Sequence, residues 1–278
     1  MNRDCYRNKR ETKMLAAHEN ALARLRKDVA ALERGACRRG GASFRLGLPP
    51  LDAALGGGLA RGVLHEVYAR GQQDAVAAAG FGLGVALRAA DGRALVWARQ
   101  DLLDVEAGAL YGDGLAAFGA DPKRLLVVRA RDPTGVLRAA AEAARCAAVG
   151  AAVIEIWGEP KTLDLNASRR LALAAGASGV TVVMIRLGAK QPAPSAATSR
   201  WSVAAAASAP LEANAPGRPA FEAALLRHRA GVGPRTWLLE WDRDRASFEP
   251  APLSRFVVSV PARGPGAADA GAPWRRAG

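Results

Sequence analysis

A loop that grips phosphate needs glycine for close backbone approach, lysine to meet the charge and a hydroxyl to hold magnesium. After a strand these fall in the pattern GxxxxGK[ST]. The stretch GLPPLDAALGGGLARGVLHEVY at 47–68 supplies a glycine-rich lead and a strand ending at Tyr68. The chain then runs ARGQQDAV at 69–76, with Asp74, Ala75 and Val76 in the three closing positions. Ala75 brings no ammonium, Val76 brings no hydroxyl, and Asp74 adds a negative charge beside any phosphate. Arg70 offers a cation nearby without reproducing the missing geometry.

Two further segments carry side chains with chemical potential. In the first, ALVWA at 94–98, Trp97 and Ala98 are followed by Arg99. In the second, AAVIEIW at 151–157, Glu155 stands two residues before Trp157, on the same face of a strand. Glu155 has two readings. It is a displaced metal ligand, or it pairs with a base that compensates its buried charge, with Arg99 on the adjacent strand as that base. The second is the better reading. Cys5, Cys37 and Cys146, like His18, His65 and His228, show no ligand spacing, so neither a metal nor another cofactor is expected. Three scattered cysteines fit a reducing compartment.

These residues need a frame, and the apolar pattern provides one. Strand candidates at 63–68, 94–98, 125–130, 151–157 and 180–187 alternate with helical stretches at 75–90, 102–118, 133–148 and 163–174. Strands buried on both faces and joined by helical crossovers predict a largely parallel, three-layer α/β domain. After Leu187 the chain reads as a mobile loop over 188–200, which carries Lys190 and Arg200. Three later strands come next, WSVAAAA, AFEAALLRHR and TWLLEWD, and the last two form a hairpin across 230–235. Trp237 and Trp241 lie four apart on one face, as core residues by default or, if exposed, as a protein-binding hot spot.

The formal net charge is +13, and it gathers at the ends. Residues 1–40 hold 11 Lys and Arg against 5 Asp and Glu, whereas residues 41–212 hold 18 against 15. Such a field favours nucleic acid or an acidic protein surface without defining a site. Leu15, Leu22, Leu25, Val29 and Leu32 make one apolar stripe on a charged N-terminal helix that also carries Arg24, Arg26 and Lys27. The stripe serves self-association, a partner, or packing on the chain's own core. No signal peptide or membrane span is expected, which places the protein in the cytoplasm. The reading divides the chain into a basic helix and linker (1–40), a core with a strand extension (41–260) and a disordered tail (261–278), in which Trp274 beside two arginines is a candidate docking element.

In the order of its elements the chain resembles the RecA-like ATPases. More closely, it is similar to the ImuA family, RecA/SulA-related proteins associated with bacterial translesion DNA synthesis. The resemblance runs from about 44 to 250 and rests on LPPLDAALGGGLARGVLHEVYA, RALVWARQDLLDVEAGALYGDGLAAFGADPKRLLVVRA and AAVIEIWGEPKTLDLNASRRLALAA, then on RWSVAAAASAP and TWLLEWDRDRASF. It implies a RecA-like fold with a later antiparallel extension. RecA proteins carry Asp-Ala-Glu where this chain has Trp97, Ala98 and Arg99, so the glutamate that orients water is replaced by a cation. The metal-associated aspartate of RecA falls near Trp157. Together with the altered loop, these departures imply a pseudo-ATPase. The family further implies an accessory role in SOS-induced, error-prone synthesis. The partners it implies are an ImuB protein (a catalytically inactive relative of Y-family polymerases) and an error-prone C-family polymerase, with RecA contact also expected. Lys190 and Arg200 would lie in a reduced counterpart of a recombinase DNA loop, consistent with weak DNA binding. Two alternatives stay open: a divergent DNA-dependent ATPase or recombination mediator, and a non-catalytic single-stranded DNA-binding protein.

Overall fold

A computed structural model describes Arg24 and residues 42–251, apart from positions 191, 209, 213, 214 and 216. The expectations for Leu15, Leu22, Leu25, Arg26, Lys27, Val29, Leu32 and Trp274 lie outside the described residues, while Arg24 is helical and exposed.

Six apolar segments become parallel strands: β3 (Leu64–Ala69), β4 (Ala94–Gln100), β5 (Leu125–Ala130), β6 (Val149–Trp157), β7 (Thr181–Leu187) and β8 (Ser199–Ala205). The sheet continues antiparallel through β9 (Ala220–His228), β10 (Arg235–Asp242) and β11 (Ser247–Pro250). Its nine strands run in the order β11-β10-β9-β8-β3-β7-β6-β4-β5, and a separate pair, β1 (Ser43–Phe44) and β2 (Leu59–Ala60), lies outside it. The short helix α1 (Pro49–Ala54) joins that pair.

Alternation along each strand splits the core into two layers. On one face Val67, Trp97, Val153, Val183 and Ile185 meet Phe81 and Leu83 of the helix α2 (Ala75–Ala90). Between β4 and β5 lie two short helices, α3 (Leu103–Glu106) and α4 (Gly112–Ala117). On the other face Ala98, Ile154 and Met184 meet α5 (Pro133–Arg145) and α6 (Leu165–Ser178) through Val136, Ala140 and Leu171. This is the expected three-layer, mainly parallel architecture with its antiparallel extension.

Local chemistry sets the helix ends. Asp132 accepts from the Gly135 amide at 2.7 Å, with Pro133 in the first helical position, and Asp164 accepts from the Ala167 amide at 2.7 Å. Inside α2, glycine permits close approach to the sheet. A Cβ on Gly84 would lie 2.7 Å from Phe248 and 3.0 Å from Trp241.

Three expectations need correction. The helix expected over 102–118 is broken into α3 and α4, because Gly108 adopts φ 88 and its carbonyl is held by Arg99. The loop expected over 188–200 ends early, since Ser199 and Arg200 already pair within β8. Strand β11 is additional, and completes the extension by pairing with β10. Among the described residues, no helix is long and apolar enough to cross a membrane.

Candidate functional site

The frame for a phosphate loop is present: β3 ends at Ala69, a 3₁₀ turn covers Gln72–Asp74, and α2 starts at Ala75. What fills it differs. Asp74 is buried, and its Oδ2 accepts from the Gly71 amide at 3.1 Å and from Gln73 Nε2 at 3.3 Å. Its other oxygen accepts from the Ala205 amide at 3.0 Å, tying the loop to the end of β8. An internal carboxylate thus occupies an amide of the segment that leads into a helix N-terminus, where an external anion would otherwise find donors. Ala75 is buried and Val76 is 73% exposed. Arg70 turns to Glu222 at 2.7 Å, and its hydrogen bond holds the Glu222 carboxyl below the usual carboxylate range.

A second cluster lies where β4 and β6 run side by side, with Arg99 directly opposite Glu155. Glu155 Oε2 accepts from Arg99 Nε at 3.0 Å and from Trp97 Nε1 at 3.1 Å. Arg99 spends its remaining nitrogens on Asp104 Oδ1 at 2.6 Å and on the Gly108 carbonyl at 3.0 Å. Asp104 is shared with Arg129 at 2.7 Å, so the network extends to the sheet edge. Burial pushes the Glu155 carboxyl above its ordinary value, against the opposing pull of Arg99 and Trp97. Among the described residues, no group of three or more His, Cys, Asp or Glu is placed to hold a metal ion. Trp157 closes β6 beside Gly188, where a Cβ would lie 2.9 Å from the indole ring.

Loop and cluster share a cavity of about 460 Å³. Its walls include Ala75, Val76, Leu83, Leu115 and Phe118, with Arg99 and Glu155 also lining it. Among the described residues, no lysine, serine or threonine lines it, so it suits an apolar group better than a triphosphate.

The remaining expected residues are scattered. Lys190 is exposed, and its amide donates to Glu159. Arg200, expected in a loop, is buried in β8, 2.9 Å from Glu66, and donates to the Ala193 carbonyl. The two do not form one basic surface. Trp241 is buried, stacks on Phe118 at 5.1 Å and donates to the Phe118 carbonyl at 2.7 Å; Trp237 is half-buried against Trp201. Sequence reasoning missed Glu222 and Glu66, the partners of Arg70 and Arg200, because long-range partners leave no spacing signal, and Asp104, which the turn after β4 brings back to Arg99 without a recognisable pattern. The Gly71–Asp74 interval did carry one, since an acid three residues on from a turn's start commonly caps its amide.

No protein-family model matches the chain. It is 32% identical to the protein ImuA of Caulobacter vibrioides over 240 residues, covering 81% of this chain and 93% of that one, in both strains NA1000 / CB15N and CB 15. A crystal structure of the RadB recombinase covers 75% of this chain and all of its own, at 17% identity and a TM-score of 0.49. An identity of 32% sustained over 81% of the chain is the measure of common descent here: the protein belongs to the ImuA family.

Proposed function

We propose that this protein is a non-catalytic accessory factor in SOS-induced, error-prone translesion synthesis, a pseudo-ATPase that docks polymerase-related partners. The observation that carries this reading is the Asp74 carboxylate on the Gly71 amide, an anion of the chain's own in the loop that would receive phosphate. Arg99, held by Glu155, Asp104 and the Gly108 carbonyl, supports it, because a cation so committed cannot orient water. In this reading the protein works in the cytoplasm, and its partners are an ImuB-type inactive polymerase relative and an error-prone C-family polymerase. The region 41–260 is the body, with the segments 1–40 and 261–278 as extensions.

The test combines turnover with assembly. Highly purified protein should release no phosphate from ATP above background, with or without single-stranded DNA, and should co-purify with the ImuB-type partner in nucleotide-free buffer. Robust hydrolysis abolished by Arg70→Ala would instead establish the divergent ATPase.

A further inference from the structure

On the face opposite α2, helices α5 and α6 pack side by side and leave a groove of about 460 Å³ between them. Leu137 and Ala141 of α5 and Ala167 and Leu171 of α6 give it an apolar floor. Its rim is cationic: among the described residues, Arg138, Arg145, Lys161 and Arg170 line it against a single carboxylate, Asp164. That carboxylate already accepts from the Ala167 amide at the start of α6. Arg145 pairs with Glu142, while Arg138, Lys161 and Arg170 have no ion pair among the described residues.

We propose that this groove docks an acidic amphipathic helix of a partner protein. The charge asks for an anionic partner, and the floor asks for apolar side chains between the charges. The walls are two helices whose backbone groups bond within themselves, together with the short turn 161–164 that leads into α6, so an extended strand would find no ladder to join; the occupant must satisfy its own backbone, as a helix does. Nucleic acid is the weaker fit. Among the described residues, the lining holds no aromatic side chain on which a base could stack, and phosphates gain nothing from the leucine floor. The inference gives a surface to the docking reading above and rests on it for its biological setting.

The test is a selection of helical peptides displayed on yeast against the full-length protein. Recovered peptides should carry a net negative charge opposite an apolar face. They should lose at least tenfold in affinity for the Arg138→Glu/Arg170→Glu double variant, and for Lys161→Glu as a single exposed change. Their binding should weaken with salt and resist competition by a dT oligonucleotide. Peptides without acidic bias, equal binding to wild type and both variants, or displacement by the oligonucleotide would each overturn the proposal. If the variants leave peptide binding unchanged while the protein still co-purifies with its polymerase-related partner, the groove assignment fails and the docking function stands.

Discussion

Arg99 and Glu155 face each other across adjacent parallel strands, each almost wholly buried, with Nε and Oε2 3.0 Å apart. On the proposed reading these are the strands from which an ATPase would present catalytic carboxylates, and here the two charges are spent on each other. Removing Arg99 strands the Glu155 carboxylate in a low-dielectric interior, whereas removing Glu155 leaves Arg99 held by Asp104 and the Gly108 carbonyl.

Glu155→Leu should therefore cost less than Arg99→Met, which should destabilise the fold by about 3–5 kcal/mol, the range for breaking a buried pair. The double variant should recover most of that loss, with Asp104 still anchored by Arg129. Urea unfolding of the four proteins in a double-mutant cycle checks this. Additive losses would mean that the two residues do not act as a pair.

Restoring the loop's side chains should not restore nucleotide turnover. The triple substitution Asp74→Gly, Ala75→Lys, Val76→Thr supplies the missing lysine and hydroxyl, yet leaves Arg99 in place of a water-orienting acid. Expected phosphate release stays at background in a coupled assay. Asp74→Ala alone should lower stability by about 1–3 kcal/mol, because the Gly71 and Ala205 amides lose their acceptor.

His65 should impose a pH dependence on stability. Burial keeps the native ring neutral, in the tautomer whose Nε2 donates to the Ala60 carbonyl and whose Nδ1 accepts from the Ser199 hydroxyl at 2.7 Å. Burial lowers its pKa from 6.5 to about 4. Below pH 6.5 the unfolded chain takes up a proton that the native state refuses, so stability should fall as pH drops from 6.5 toward 4, by up to about 3 kcal/mol. Glu155 works in the opposite sense: its raised value makes stability fall as pH climbs above 4.5. Comparing unfolding of wild type and His65→Gln across that range isolates the histidine, and parallel pH profiles would count against it.

Gly84→Ala should cost stability although alanine is the better helix former. The added methyl enters the space held by Phe248 and Trp241, and overpacking of this kind costs about 1–3 kcal/mol. The gain in propensity is only about 1 kcal/mol. Thermal unfolding should show a lower midpoint, while Gly176→Ala, where α6 leaves room, should raise it slightly.

The parallel sheet and its covering helices were legible because uninterrupted apolar runs such as VTVVMIRL admit few other fates. The break inside 102–118 was not, since it depends on Arg99 reaching the Gly108 carbonyl from another element. Four-residue β11 carries too little pattern to announce itself, and needs β10 as its template. At the site, the absent lysine, hydroxyl and glutamate could be read directly, and so could the Arg99–Glu155 pairing, from two charges on neighbouring strands. Arg200 was misplaced because an arginine beside a proline-rich stretch reads as solvent-exposed; its burial depends on Glu66, far away in sequence. The α5–α6 groove is invisible to periodicity, which reports the face a helix buries and not the channel between two helices.

The carboxylate of Asp74 makes occupancy of the loop a covalent property of the chain. A loop that waits for nucleotide has two shapes, and its neighbours follow the cell's energy charge. On the proposed reading, the filling group is present at one copy per molecule from the moment of folding, whatever the ATP concentration. The surface beside it, from the Arg70–Glu222 pair to the end of β8, would then not depend on nucleotide for its shape. A partner that recognised this surface would meet the same molecule in a starved cell and in a growing one.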